Sequence, residues 1–142
     1  MTPTLRPYLA LLGATLLGQG LVSWALDWSG NASNQLPYRF ANSDPRHAFV
    51  HVAWGSVMLV LVARGMDERG YARLALAFGV FYTALAGLGV VVHHPLGLRL
   101  DRGENVFHFI VGPITLALAL VALRVERMHG RAKQGQTPFG TR

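Results

Sequence analysis

Polar residues interrupt four long apolar runs along the chain. The runs cover residues 8–26, 45–63, 71–92 and 105–125 and are 19 to 22 residues long. A helix rises about 1.5 Å per residue, so each run can cross the roughly 30 Å hydrocarbon layer of a bilayer. Because lipid offers an exposed backbone no hydrogen-bond partners, such runs are expected to be helical. The pattern predicts an all-α fold, a four-transmembrane-helix bundle within residues 1–125.

The connections between the runs carry turn and loop residues. Residues 28–44 are rich in Asn and Ser, and Asp44 followed by Pro45 is typical of a helix start, with a capping side chain and a proline in the first turn. Residues 66–70 form a short charged turn, which predicts that the second and third helices make an antiparallel hairpin. Residues 126–142 are polar and basic, and we expect them to form a separate, mobile cytoplasmic tail.

Composition supports lipid as the solvent. Hydrophobic residues make up 51% of the chain and charged residues 14%, whereas soluble domains average about a quarter charged. The formal net charge of +6 is not arranged as a basic stripe with interleaved aromatics, so we expect no nucleic-acid partner. The absence of cysteine excludes disulfides, iron–sulfur clusters and thiolate metal sites.

The basic residues predict the orientation. Nine of the 13 Lys and Arg residues flank the side that carries both termini and the turn at 66–70, and four flank the other side. The positive-inside rule therefore predicts a multi-pass protein of the cell inner (plasma) membrane with both termini in the cytoplasm. The first and third connections then face outward.

Two pairs of spans resemble each other. The second and fourth share an H-x-x-x-G motif at residues 51–55 and 108–112, 57 positions apart. The first and third share a weaker G-x-G pattern at residues 18–22 and 87–91, 69 positions apart. These matches predict two tandem hairpin repeats, related by an axis along the membrane normal. Small residues at helical spacing, such as Gly79 with Thr83, favour close helix packing within the bundle over a dimer interface.

Histidines gather at the predicted outer side, and only His129 lies on the other. Five of the six lie near the outer ends of spans: His47, His51, His93, His94 and His108. Two interpretations remain open. In the structural one, the imidazoles hydrogen-bond to loop carbonyls or to a carboxylate, and the glycine four residues later only admits a neighbouring helix. The candidate carboxylates are Asp44, Asp101 and Glu104, of which the last two also suit caps of the fourth helix.

In the second interpretation the histidines bind a ligand. His47 and His51 share a helix face, and with His108 they could hold a metal ion. A facing pair, His51 and His108, could instead hold a haem or a bacteriochlorophyll, with Gly55 and Gly112 leaving room for the flat macrocycle. Proton transfer or pH sensing by histidine is a further alternative.

The starts of the second and fourth helices carry a family resemblance. Residues 44–51 (DPRHAFVH) leading to Gly55, and residues 104–108 (ENVFH) leading to Gly112, resemble the DUF4383 group of small bacterial four-helix membrane proteins. That group shows similar N-x-x-H and H-x-x-x-G starts on these helices, although here His47 lacks the preceding asparagine. The resemblance covers about a third of the chain. It implies a topology and no activity, since the group has none established.

Two functional hypotheses follow from these features. The first is a small accessory or scaffold subunit that packs beside a respiratory or photosynthetic membrane complex or with copies of itself, and it rests on the small size, the absence of catalytic motifs and the small-residue ridges. The second is a haem-, metal- or pigment-binding membrane redox protein that uses the outer histidines. A transporter is a third hypothesis, which four helices would support only as an oligomer.

Overall fold

The computed structural model describes residues 4–29, 44–92, 97–98 and 102–134. Within these ranges the chain forms four helices and no strands: α1 (Arg6–Trp28), α2 (Pro45–Arg64), α3 (Glu68–Val91) and α4 (Arg102–Gln134). Each helix is long and apolar enough to cross a membrane. The predicted all-α fold with four membrane-length helices is therefore confirmed.

Aspartate side chains begin two of the helices. Asp44 accepts hydrogen bonds from the backbone N–H groups of Arg46 (2.9 Å) and His47 (3.2 Å), and Pro45 occupies the first turn, as the sequence predicts. Asp67 caps α3 in the same way by accepting from the N–H of Gly70 at 2.8 Å. Such caps satisfy N–H groups that have no partner inside the helix.

The fourth helix continues past the end of its apolar run. Residues 126–134 belong to α4 without a break, so the predicted boundary at 125 falls inside a helix. Glu, Arg, Lys, Ala and Met fill most of this segment, and these residues favour helix even where their side chains are polar. Residues 135–142 of the predicted tail lie outside the described ranges.

The helices pack most closely as two antiparallel pairs, α1 with α2 and α3 with α4. Glycines lie where the backbones cross. A Cβ at Gly55 would lie 2.5 Å from the backbone nitrogen of Leu17, and a Cβ at Gly112 would lie 2.7 Å from that of Thr83. The second and third helices, which the short turn at residues 66–70 predicted to be an antiparallel hairpin, follow each other through a short connection but make few close contacts.

The two close pairs repeat the same pattern of buried positions. Most buried residues of α2 have a buried counterpart 57 positions later in α4, and those of α1 have one 66 positions later in α3. The register of 69 predicted for the first and third spans is therefore wrong. Gly18 and Gly87, which that register rests on, are exposed and have no neighbouring atoms within 4 Å of a built Cβ.

Large apolar side chains cover the outside of the four helices. A soluble monomer rarely exposes so much contiguous apolar surface, whereas a lipid environment solvates it. The side chains exposed by about half or more include Leu11, Leu21, Phe49, Val57, Val60, Val80, Val90, Phe109, Ile110, Ile114, Leu120 and Val121. Inside, the hydroxyl groups of Tyr8 and Thr115 hydrogen-bond and join α1 to α4.

Candidate metal centre

Three histidines converge inside one end of the bundle, where α2 and α4 begin. His47 and His51 lie one turn apart on α2, and His108 lies near the start of α4. All three side chains have 0% exposure. The i, i+4 spacing places His47 and His51 on one face of α2, and that face is turned toward α4. Two predicted neighbours, His93 and His94, lie outside the described residues.

The imidazole nitrogens lie close enough to share an ion. His47 Nε2 and His108 Nε2 are 3.3 Å apart, and one ring nitrogen from each of the three histidines lies within 4.8 Å of the other two. The ring centroids of His47 and His51 are 4.4 Å apart, and those of His51 and His108 are 6.1 Å apart. The histidines therefore form one compact cluster.

A carboxylate adjoins the cluster on the far side of His47. Glu104, in the first turn of α4, places Oε1 at 3.2 Å from His47 Nδ1, and its side chain is 5% exposed. This is an ion-pair distance, although the two atoms are not aligned for a hydrogen bond. Of the carboxylates that the sequence offered as histidine partners, Glu104 lies against His47 and Asp44 caps α2, while Asp101 lies outside the described residues. Positive charge nearby, from an imidazolium or from a metal ion, stabilises a buried carboxylate.

Several polar atoms of the cluster have no hydrogen-bond partner among the described residues. These are both ring nitrogens of His51, Nδ1 of His108 and the hydroxyl of Tyr82, all of them buried. Each such group costs about 1–3 kcal/mol when it is left unsatisfied, so native structures seldom leave several together without a water or an ion. The unsatisfied nitrogens point to a ligand at the centre of the cluster.

Aromatic rings lie against His51 and His108. The Tyr82 ring lies 4.9 Å from that of His108, and the Phe107 ring lies 6.0 Å from it. Phe78 stacks on Tyr82 at 4.2 Å and separates the cluster from the rest of the core. Sequence analysis did not single out Tyr82. Its position on α3 comes near the histidines only once the helices are packed, so the sequence carried no direct signal for it.

The donor set fits a transition-metal ion bound by imidazoles. Two nitrogens that bind a tetrahedral ion at about 2.0–2.1 Å lie about 3.3–3.4 Å apart. The distance between His47 Nε2 and His108 Nε2 is 3.3 Å, so this pair is already at ligand spacing. His51 must approach by a rotation of its side chain, and no hydrogen bond among the described residues opposes that rotation. Imidazole ligands suit zinc, copper, iron and nickel ions.

The arrangement does not fit a haem or a bacteriochlorophyll between His51 and His108. A macrocycle would have to separate these two rings, but the His47 ring contacts both, with centroids at 4.4 and 5.2 Å. The glycines expected to leave room for it, Gly55 and Gly112, are filled by the backbone of neighbouring helices. Gly55 and Gly112 agree with the structural interpretation, in which the glycine four residues after each histidine allows a neighbouring helix to approach closely.

The sixth histidine lies apart from the cluster. His129 is exposed near the opposite end of α4, and its Nδ1 lies 2.9 Å from the carbonyl oxygen of Val125. Comparison with known proteins adds no assignment: no family model, no curated protein and no solved structure matches the chain. The resemblance to the DUF4383 group therefore stays a prediction.

Proposed function

We propose that the protein is a membrane-embedded metalloprotein that binds one transition-metal ion through His47, His51 and His108. The observation that carries this proposal is the convergence of three fully buried imidazoles whose nitrogens lie within 4.8 Å of one another. Three protein ligands leave a tetrahedral ion one open position, which water or a small molecule can take. The proposal keeps the metal-binding hypothesis and sets the haem and pigment hypotheses aside.

The structural interpretation of the histidines is less well supported. Imidazoles that only tied the helix ends together would be expected to hydrogen-bond to carbonyls or to carboxylates. The nitrogens of His51 have no such partner among the described residues, and neither does Nδ1 of His108. Within the described ranges, the one carboxylate beside a histidine of the cluster is that of Glu104, next to His47. A metal ion would give the ring nitrogens of His51 a partner, and it would replace the contact between Nε2 of His47 and Nε2 of His108.

We further propose that this centre lies near the outer face of the inner membrane. The positive-inside rule favours an orientation in which both termini are cytoplasmic. The histidine-bearing starts of α2 and α4 then lie at the outer end, with His51 about 10 Å below the Asp44 cap at about 1.5 Å per residue. An ion from outside the cytoplasm would reach the site over a short distance.

A role beside a larger membrane complex, or in a homo-oligomer, stays a prediction. The exposed apolar side chains on all four helices suit lipid and protein neighbours equally. Nothing in the described residues favours a respiratory or photosynthetic partner. We therefore propose metal binding ahead of a role as an accessory subunit.

Metal analysis of the purified protein tests the proposal. The chain is extracted in mild detergent, loaded separately with Zn²⁺, Cu²⁺, Fe²⁺ or Ni²⁺, washed and analysed by mass spectrometry for metal content. We expect about one ion per chain, and nitrogen ligands at about 2.0–2.1 Å in X-ray absorption. His47→Ala, His51→Ala and His108→Ala should each lower the affinity by about 100-fold or more, since a ligand contributes at least as much as an outer-shell residue.

His129→Ala is the matched control, because it removes an exposed histidine from the far end of α4. It should bind metal as the unaltered chain does. The proposal is contradicted if the unaltered chain retains none of the four ions. It is also contradicted if His129→Ala lowers metal binding as much as the variants of His47, His51 and His108 do. Circular dichroism of each variant separates lost ligation from lost folding.

A further inference from the structure

The two close helix pairs make the same contacts at equivalent positions. Gly55 of α2 meets the backbone of Leu17 in α1, and Gly112 of α4 meets the backbone of Thr83 in α3. Gly112 follows Gly55 by 57 positions, and Thr83 follows Leu17 by 66. The helix crossing of the first hairpin, α1 with α2, therefore recurs at equivalent residues in the second hairpin, α3 with α4.

A second crossing contact repeats in the same register. Gly13 packs on the side chain of Leu59, and Gly79 packs on Leu116. Gly79 again follows Gly13 by 66 positions, and Leu116 follows Leu59 by 57. Two separate glycine contacts therefore relate the hairpins by one pair of offsets, as a twofold repeat would.

The histidine site lies where the two repeats meet. His51 corresponds to His108 at the offset of 57, and His47 corresponds to Glu104. Members of both pairs adjoin each other: the rings of His51 and His108 are 6.1 Å apart at their centroids, and His47 lies 3.2 Å from Glu104. Equivalent residues come together in this way only close to the axis that relates the repeats.

We propose that positions 47 and 104 are equivalent sites of an internal twofold repeat, and that Glu104 is the specificity-determining residue of the metal centre. The repeat makes four site positions, 47, 51, 104 and 108, and three of them are histidine. Glu104 provides a carboxylate where a symmetric site would have a fourth imidazole. The part that concerns metal specificity rests on the proposed function. The equivalence of the two positions rests on the contacts of the hairpins alone.

The carboxylate gives the centre a preference for divalent ions. A unit negative charge attracts a dication twice as strongly as a monovalent ion at the same distance. Glu104 lies next to His47 Nδ1, and His47 Nε2 faces His108. At this distance the charge of Glu104 favours the tautomer of His47 that carries the proton on Nδ1, which leaves the Nε2 lone pair for the metal, as carboxylates beside zinc-bound histidines do. The chemical class we infer is a divalent transition-metal ion rather than Cu⁺.

An exchange of the two residues tests the equivalence. His47→Glu alone removes a ligand and sets two carboxylates against each other, and we expect it to lower Zn²⁺ affinity by about 100-fold or more. Combining it with Glu104→His gives a site with one carboxylate and three imidazoles again. The carboxylate then lies on α2 and the exchanged imidazole on α4. This double variant should recover Zn²⁺ affinity to within about tenfold of the unaltered chain, which is a strong coupling in a double-mutant cycle.

Charge removal tests the specificity. Glu104→Gln keeps the shape of the side chain, and we expect it to lower Zn²⁺ affinity by about 10–100-fold and Cu⁺ affinity by less. Glu68→Gln is the control, because Glu68 begins α3 at the opposite end of the bundle. It should leave both affinities unchanged. Equal losses for Zn²⁺ and Cu⁺ in Glu104→Gln would overturn the assigned specificity.

The outcomes separate this inference from the proposed function. If the unaltered chain binds Zn²⁺ and the exchanged variant binds no better than His47→Glu, the positions are not equivalent, while the three-histidine centre stands. If the unaltered chain binds no metal, the proposed function and the metal specificity both fail. Thermal unfolding of the metal-free protein then still tests the equivalence. His47→Glu should lower the unfolding midpoint temperature, and adding Glu104→His should restore it. A midpoint that stays low in the double variant would refute the repeat.

Discussion

At the start of α2, the carboxylate of Asp44 accepts hydrogen bonds from the backbone N–H groups of Arg46 and His47. The side chain that caps the helix therefore also fixes the backbone of a site histidine. His47 in turn contacts Glu104 at Nδ1 and His108 at Nε2, and its ring lies against that of His51. A change at the cap should consequently reach the metal centre.

Asp44→Ala is expected to lower both stability and metal affinity. Loss of an N-cap costs about 1 kcal/mol, and the freed first turn of α2 no longer holds His47 in place. Asp67→Ala is a matched control, because Asp67 also caps a helix by accepting a backbone hydrogen bond, at the start of α3 and at the other end of the bundle. It should lower the unfolding temperature comparably and leave Zn²⁺ affinity unchanged.

Thermal unfolding in detergent and zinc titration of the two variants check this expectation. Unchanged zinc affinity in Asp44→Ala, at a lowered unfolding temperature, would mean that the cap does not position His47. An equal loss of affinity in Asp67→Ala would attribute the effect to general destabilisation.

Between the helices, close contact depends on glycines at the crossing points. Gly55 and Gly112 occupy equivalent crossings of the two hairpins, and each faces backbone atoms that cannot move aside. Glycine at such positions lets helices approach closely in lipid, where packing rather than hydrophobic burial drives association. Each H-x-x-x-G motif thus combines a site residue with the glycine that seats its helix.

Gly55→Ala and Gly112→Ala are expected to destabilise the protein by similar amounts. The added Cβ would lie 2.5 Å from the Leu17 nitrogen in one case and 2.7 Å from the Thr83 nitrogen in the other, so the helices must separate. Overpacking of this kind costs about 1–3 kcal/mol. Gly87→Ala, at an open position of α3, should leave stability unchanged or raise it by about 0.5–1 kcal/mol.

Unfolding in a denaturing detergent, followed by circular dichroism, measures these differences. The equivalence of the two crossings predicts that the Gly55 and Gly112 variants shift together. A large loss in one and none in the other would show that the hairpins pack differently in solution, and a loss in Gly87→Ala would show that its surface is covered.

The sequence was sufficient for the helices but not for their register. Long apolar runs and the Asp44 cap are local features, so they predicted the spans and the start of α2. The offset of 69 between the first and third spans differs from the observed 66 by three residues. Three residues are close to the 3.6 of one helical turn, so the two registers present nearly the same apolar face. The packing contacts and the pattern of buried positions distinguish them.

The site was predicted in part for a similar reason. The spacing of His47 and His51 fixed their common face, which follows from helix geometry alone. The approach of His108, and of Glu104 to His47, depends on how α4 packs on α2. Helical periodicity does not give that distance. The haem hypothesis needed free space beside Gly55, which the packing of α1 fills.

Across the whole molecule, the histidine centre and most basic residues lie at opposite ends of the bundle. The starts of α2 and α4 hold the centre, whereas Arg64, Arg69 and Arg73 flank the connection between α2 and α3. This polarity makes orientation a functional question. With the basic end in the cytoplasm, the proposed metal centre would receive its ion from outside the cell membrane. In the inverted orientation it would receive ions from the cytoplasm.

Single cysteines introduced at the two ends of α1 decide the orientation. The chain has no cysteine, so each variant carries one thiol on a clean background. Ser29 and Thr4 are both exposed, lie at opposite ends of α1 and change little in size when replaced. We expect Ser29→Cys to react with a membrane-impermeant thiol reagent in cells whose inner membrane is intact. Thr4→Cys should react only after that membrane is opened, because the positive-inside rule places the start of α1 in the cytoplasm. The reverse labelling pattern would show that the bundle has the opposite orientation, with the histidine cluster at the cytoplasmic face.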